Sequence, residues 1–433
     1  MKNRNLIQKI IVLLLLLNLN LAAQDTIRVM VYNLLNYGNF PSGYCNISIN
    51  DPDDKDVYLR SIIDYANPDI FAVNEIGTNS VYHDRILDSV LNINGINYFQ
   101  RANITNNGYS YLLNQLYYNS EKLTLHSQEV VNTYIRNIDL YRLYYNSPEL
   151  SVNNDTVFLI CLVSHLKSGS DASDQSSRAT MTVNAMNYLS NQNIIDNCLF
   201  MGDFNVKNSS EQAFQNLINY TNPAVRFYDP INQIGSWNNN SSFSAYHTQS
   251  THYSSNGCAS GGGLDDRFDF ILASENIING IHKAEYINNS YWAIGQDGNH
   301  FNSSIDYQGN SSVPLSVLNS LYEMSDHLPV MMDIAINQIS VYRTDNVVGE
   351  LMNFYFNNPV NEKLEINIQS IRKQNLFLEV FSHYGQVLLS EKINISEGKN
   401  SFNIPMNNYA SGLYILKISN ETNLLKVQKI VKL

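Results

Sequence analysis

The strongest constraint on the fold is a change of rhythm near Gln338. Before it, apolar runs of strand length alternate with stretches of helical period; after it, no helical period returns. Ile27 to Asn33 and Asp69 to Glu75 read as buried strands, and between them Leu59, Ile62, Ile63 and Ala66 recur at helical spacing. Asp155 to His165 and Asn197 to Asp203 repeat the scheme around a helix with Ala179, Val183, Met186 and Leu189 on one face. Phe268 to Ala273 and Leu328 to Ile336 add two strands. This predicts an α/β four-layer sandwich, two packed β-sheets flanked by helices, followed by a small all-β sandwich domain.

The expected boundaries are a signal peptide at 1–23, a catalytic domain at 24–338, a linker at 339–350 and the β-domain at 351–433. Lys2, Arg4 and Lys9 precede the apolar run Ile10 to Leu16, and Leu21-Ala22-Ala23 offers small residues for cleavage before Gln24. The run is short for a bilayer span, and no Cys follows it to accept a lipid. The mature chain is therefore expected to be exported, without a transmembrane segment, and monomeric. Two polar stretches resist assignment, Asp229 to Asp266 and Gly295 to Ser320, and both are expected to rim a site or wander above it.

A net charge of −12 argues against a protein that holds nucleic acid through a broad basic face, but not against a nuclease whose metal ions and few local cations meet the phosphate. Four cysteines are too few for a disulfide scaffold. Cys161 and Cys198 lie in apolar strands and read as small buried hydrophobes, whereas Cys45 and Cys258 lie in polar loops and are the pair to bridge if any does.

Acidic and imidazole residues cluster at the expected strand ends: Asn33, Glu75, His165, Asp203 with Asn205, Asp269, and Asp326-His327. Carboxylates and carboxamides are hard oxygen ligands for Mg²⁺, Mn²⁺ or Ca²⁺, and two histidines add proton-transfer groups. With no Cys or tight His pair in the set, a structural zinc site is disfavoured. Singly, each residue has a plain structural reading: Asn33 as a turn cap, Glu75 as a helix start, Asp203-Phe204-Asn205 as an Asx turn, His165 as a structural imidazole.

Together, in their order, they resemble the endonuclease/exonuclease/phosphatase superfamily. The resemblance runs through Val31-Tyr32-Asn33, Val73-Asn74-Glu75, Ser164-His165-Leu166, Gly202-Asp203-Phe204-Asn205, Arg267-Phe268-Asp269-Phe270-Ile271-Leu272 and Ser325-Asp326-His327-Leu328-Pro329. It implies Glu75 as the chief metal ligand, with Asn33, Asp203, Asn205 and Asp326 completing the metal and phosphate site. His327, oriented by Asp269, would activate water or stabilise charge on the phosphate, and His165 would assist the leaving oxygen. In the deoxyribonuclease branch the second imidazole pairs with a carboxylate in a strand corresponding to Gly108 to Tyr118. That segment holds no Asp or Glu here, which leaves Tyr109, Tyr111 or Asn114 to hold His165. The run His165-Leu166-Lys167-Ser168-Gly169 and then Arg178 resembles secreted bacterial nucleases of the superfamily, with Lys167 and Arg178 meeting substrate phosphates; the plain alternative is two solvated surface cations. His247 and His252 read as loop residues.

The tail resembles the C-terminal sorting domain of the type IX secretion system. Asn358-Pro359-Val360 opens it, Tyr384-Gly385-Gln386 marks a middle turn, Ala410-Ser411-Gly412-Leu413-Tyr414 follows and Lys429-Ile430-Val431-Lys432 closes it. The resemblances imply a secreted or surface-attached phosphodiesterase that engages the type IX machinery and cuts DNA or RNA. A sphingomyelinase-like phospholipase or an inositol or lipid phosphatase is the alternative within the superfamily. A surface-binding protein with a decayed site is the alternative outside it, and the tyrosine-rich stretch Tyr109 to Tyr145 suits either base stacking or sheet packing.

Overall fold

The computed structural model describes residues 25–41, 44–147, 150, 156–337, 352–370, 372–382, 386–420 and 424–433. The expected signal peptide, the linker at 339–350 and the Tyr384-Gly385 turn lie outside the described residues. The chain divides into two compact units between residues 340 and 341.

In the first unit, continuous apolar runs become strands covered on both faces. They are β1 (Asp25–Tyr37), β2 (Ile70–Gly77), β3 (Phe99–Arg101), β4 (Leu112–Asn119), β5 (Leu123–Asn132), β6 (Ile138–Tyr145), β7 (Phe158–His165), β8 (Cys198–Asp203), β9 (Phe227–Tyr228), β10 (Asp269–Ser274), β11 (Ala284–Tyr286), β12 (Trp292–Ala293) and β13 (Val330–Ile336). One sheet has the order β11-β13-β1-β2-β4-β3, with β12 also paired to β13, and the other β5-β6-β7-β8-β10-β9. The helices that cover them are α1 (Pro52–Ala66), α2 (Ser80–Ile86), α3 (Ala172–Asn191), α4 (Gln212–Ile218), α5 (Glu275–Asn279) and α6 (Leu315–Met324).

The two-residue period of the strands sorts their side chains between layers. Leu159, Cys161 and Val163 of β7, Leu199 and Met201 of β8, and Ile271 and Ala273 of β10 join the core shared with the first sheet. Their alternates Ile160, Leu162, Phe200, Phe270 and Leu272 pack with Met181, Ala185, Met186 and Leu189 of α3 and Phe214 of α4. Leu59, Ile62 and Ile63 of α1 and Val317, Leu318, Leu321 and Met324 of α6 join the core of the first sheet. The layers are therefore helix, sheet, sheet, helix, as the periodicity predicts.

One region departs from the sequence reading, and two decide between alternatives it left open. The stretch Gly295 to Ser320 does not stay irregular, because α6 begins at Leu315. Asp229 to Asp266 does not wander: Trp237, His247, Thr248 and Thr251 within it are fully or almost fully buried. In Tyr109 to Tyr145, strands β4, β5 and β6 take up most of the chain, with Tyr117 and Tyr141 buried and Tyr109 and Tyr111 about 80% exposed.

The second unit holds β14 (Asn353–Phe356), β15 (Lys363–Ser370), β16 (Gln374–Ser382), β17 (Val387–Ile395), β18 (Gly398–Pro405), β19 (Gly412–Ser419) and β20 (Leu424–Lys432). They form sheets β14-β15-β18 and β17-β16-β19-β20. Leu364, Ile366 and Ile368 of one pack with Leu376, Leu378, Val380, Leu416 and Ile418 of the other. No helix among the described residues is long and apolar enough to cross a membrane.

Candidate metal and phosphate site

Parallel pairing sets the end of β1 beside the end of β2, with Asn33 opposite Asn74, and the end of β7 beside that of β8, with His165 opposite Asp203. Antiparallel β10 starts at the same edge, Asp269 facing Asp203, and Asp326-His327 lead into β13 beside β1. Gly202 makes the β7–β8 approach possible: its φ is +137°, and a Cβ there would lie 1.8 Å from the Ser164 carbonyl oxygen.

At this edge β1 and β2 both slip register, between Asn33 and Tyr37 and between Val73 and Ile76. Leu35, Asn36 and Glu75 take left-handed backbone, Glu75 with φ 62°. Each such non-glycine residue costs about 1–2 kcal/mol, and strain of this kind concentrates at functional sites. Here it re-aims Glu75: Oε1 accepts from Asn33 Nδ2 at 3.1 Å and Oε2 from Asn36 N at 3.0 Å. Beneath the bulge lies the buried Lys55, whose three N–H donors meet Leu34 O, Leu35 O and Asn50 Oδ1 at 2.7, 2.7 and 2.6 Å.

Asn33 Nδ2 also donates to Asp203 Oδ2 at 3.0 Å, so one carboxamide ties two carboxylates together. Asp203 N donates to Asn74 Oδ1 at 2.9 Å, and Asn205 N to Asp203 Oδ1 at 3.0 Å. Burial, reinforced by Asp269 and Glu75, pushes the Asp203 carboxyl up against the pull of His327 and Asn33.

His327 Nδ1 lies 2.7 Å from Asp269 Oδ2, which also accepts from Thr248 Oγ1 at 2.7 Å. Its Nε2 is 2.8 Å from Gln249 Nε2 and 3.8 Å from Asp203 Oδ2. Burial opposes charge on this imidazole, but Asp269, Asp203 and Asp326 outweigh it and raise its pKa well above the ordinary value. The Gln249 contact suits the neutral ring, with Nδ1 donating to Asp269 and Nε2 accepting from the amide.

His165 is almost wholly buried, with Nε2 3.5 Å from Asp203 Oδ2 and 3.7 Å from Glu75 Oε1. Burial, with Arg136 and His327 adding to it, holds its pKa well below the ordinary value. None of the three residues expected to hold it bonds to it. Tyr109 and Tyr111 are exposed, and Asn114 is occupied by Asn74, Asn137 O, Asp139 and Val163 O.

A pocket of about 410 Å³ is lined by Glu75, His165, Asp203, Asn205, Asp326 and His327. Of the two cations expected to meet phosphates, neither lines it. Arg178 is wholly buried, paired with Glu211 at 2.7 Å and donating to Lys167 O and Gly169 O, so it braces the loop beneath the rim. Lys167 pairs with Asp174 at 2.9 Å. The cations that do line the pocket are Arg136, which donates to Leu166 O at 2.7 Å, and Lys207, two residues beyond Asn205. Sequence reasoning missed both, together with Thr248 and Gln249. Only Lys207 carried a signal, its place in the Asp203-Phe204-Asn205 run.

Cys45 and Cys258 are bridged, while Cys161 and Cys198 are free and buried. Cys258 lines the pocket, but Cys45 is fully buried rather than part of a polar loop surface. Two residues past Cys258, Ser260 N donates to Asp326 Oδ2 at 2.8 Å.

The donor set fits a divalent cation. Glu75, His165 and Asp203 offer atoms all within 4.8 Å of one another, and Asp326 Oδ1 is buried with no hydrogen-bond partner. Three carboxylates with carboxamides suit Mg²⁺, Mn²⁺ or Ca²⁺, and the imidazole beside them leans toward Mn²⁺ within that group.

Residues 355–433 match the family model described as the secretion system C-terminal sorting domain. The tail is thus a type IX sorting domain, which indicates export to a secreted or surface-attached location. A search of curated proteins returned no match. Among solved structures, an endonuclease/exonuclease/phosphatase from Bacteroides vulgatus is similar at 11% identity and TM-score 0.45, over 72% of this chain and 99% of that one. TDP2 of D. rerio, complexed with a single-strand DNA product, is similar at 10% identity and TM-score 0.43, over 72% and 99%. The human Nocturnin catalytic domain with bound sulfate is similar at 14% identity and TM-score 0.41, over 72% and 97%.

Proposed function

We propose that the first unit is a phosphodiesterase of the endonuclease/exonuclease/phosphatase superfamily, dependent on Mg²⁺, Mn²⁺ or Ca²⁺, and that its substrate is extracellular DNA or RNA. One observation carries the reading: a buried His327–Asp269 pair stands beside Asp203, Asn33 and Asp326 at a pocket that Arg136 and Lys207 also line. Glu75, Asp203, Asn205 and Asp326 would hold the cation. When bound, it neutralises charge on a non-bridging phosphate oxygen and offsets the carboxylate field around His327.

His327 Nε2 takes the proton of the attacking water, and Asp269 fixes the ring and stabilises the imidazolium that forms. In the resting site Gln249 donates to Nε2 and yields that lone pair to the water, while it also anchors Asp326, to which it donates at 3.2 Å. Asn33 holds Glu75 and Asp203 in one geometry. Arg136 and Lys207 are suited to flanking phosphates of a polymer, which lets a chain of net charge −12 bind polyanions locally.

Purified protein incubated with double-stranded DNA, RNA, sphingomyelin and inositol phosphates, with and without chelator, tests the reading. Chelator-sensitive cleavage of DNA or RNA is the expected result. Full activity in excess chelator would overturn the metal dependence, and hydrolysis of sphingomyelin or inositol phosphates alone would move the chain to the lipid and phosphatase branches.

A further inference from the structure

The unanswered question at the site is what orients His165. Its Nδ1 is buried without a hydrogen-bond partner. One other buried orphan sits across the strand pair. In the β6–β7 ladder Ile138 is opposite Ser164, so the next rung of this antiparallel pair sets Asn137 opposite His165. Their faces agree. Ile138 and Leu162 point to the α3 side, whereas Val163 points between the sheets, and alternation puts His165 and Asn137 on that inter-sheet side too. Asn137 is buried there, its carbonyl oxygen receives Asn114 Nδ2 at 3.1 Å, and its own Oδ1 has no partner.

Two cross-strand neighbours, one with an unmatched ring nitrogen and the other with an unmatched carbonyl oxygen, are complementary, because Oδ1 only accepts and Nδ1 can donate. Buried polar atoms in folded proteins are almost always matched. Two other candidates are taken: Asn114 bonds four partners, and Ser164 Oγ donates to Met201 O.

We infer that Asn137 is the positioning residue for His165: the two atoms are not bonded in this structure, and rotation of the carboxamide lets Oδ1 accept the Nδ1–H of the imidazole, leaving Nε2 as the lone-pair nitrogen that faces Glu75 and Asp203. The carboxamide takes the place of a carboxylate partner, with a different consequence. A carboxylate would favour an imidazolium, whereas a neutral acceptor fixes the tautomer without drawing a second proton onto the ring. His165 then works at Nε2 as a proton acceptor or cation ligand, not as a resident acid. This deepens the proposed function by assigning the role of one group within that site.

The test is long-range ¹H–¹⁵N correlation on the metal-free full chain labelled at histidine, at neutral pH, with the His165 signals assigned by their loss in His165→Gln. The expected wild-type pattern is Nδ1 protonated and Nε2 unprotonated. In Asn137→Ala the preference collapses to a mixture while the His327 signals stay, whereas Asn137→Asp keeps the Nδ1 proton and favours a second proton at Nε2. In turnover, Asn137→Ala lowers kcat on the order of tenfold with KM little changed. A wild-type His165 protonated at Nε2 would overturn the inference without any variant. An unchanged tautomer in Asn137→Ala, or an unprotonated Nδ1 in Asn137→Asp, would also overturn it. The tautomer is read in resting protein, so its outcome stands whether or not the chain cleaves phosphodiesters.

Discussion

His327 Nδ1 and Asp269 Oδ2 are 2.7 Å apart with both side chains buried, and Thr248 Oγ1 holds the same carboxylate oxygen from the other loop. Asp269→Asn keeps the size and one acceptor but cannot stabilise a charged ring. The expected result is a folded protein with an unchanged melting temperature, to within a few degrees, and turnover down on the order of a hundredfold to ten-thousandfold. Thr248→Ala, which loosens the carboxylate without removing it, has the smaller effect. Steady-state kinetics beside thermal melts separates the two.

Asp139 lies buried behind the site, bonded to Thr105 and to Asn114 at 2.9 Å, and burial pushes its carboxyl from 3.8 up to about 6. A raised carboxyl binds its proton more tightly in the folded state, so its contribution to stability is fully present below about 3.8 and is lost as pH rises through about 6. Asp139→Asn lacks that loss. The stability of the variant relative to wild type should therefore climb between pH 4 and 7, by on the order of 3 kcal/mol at most. Denaturant unfolding of both proteins across that range checks it, and a flat difference contradicts it.

The Cys45–Cys258 bridge closes a span of 213 residues and steadies the loop from which Ser260 N reaches Asp326. Cys45→Ser with Cys258→Ser should cost about 3–5 kcal/mol of stability. It should also weaken divalent-cation affinity on the order of tenfold, because Asp326 loses a fixed donor. Calorimetric titration of Mn²⁺ into both forms measures the second effect; equal affinities would mean that Asp326 is held by Gln249 alone.

The strand-end residues were legible in the sequence because each follows or introduces an apolar run whose length and direction bring it to one edge: Asn33, Glu75, His165 and Asp203 end such runs and Asp269 and His327 open them. Layering was legible for the same reason. What escaped comes from segments without a period. Thr248 and Gln249 sit in the irregular stretch before Asp266, and Arg136 in the turn between β5 and β6. Arg178 shows the opposite failure. A cation in the first turns of a helix reads as exposed, and only Glu211, brought in by the start of α4, makes it a buried strut. The register slips that twist Glu75 into place leave no mark in the sequence, since they depend on pairing across two strands.

The measurement that bears most directly on the account pairs His327→Ala with Glu75→Ala, reading turnover at saturating Mg²⁺ or Mn²⁺ and cation affinity by titration. His327→Ala should lose on the order of a hundredfold to ten-thousandfold in turnover while keeping its cation affinity, and Glu75→Ala should lose both. A folded, cation-loaded His327→Ala protein turning over within about tenfold of wild type would contradict it.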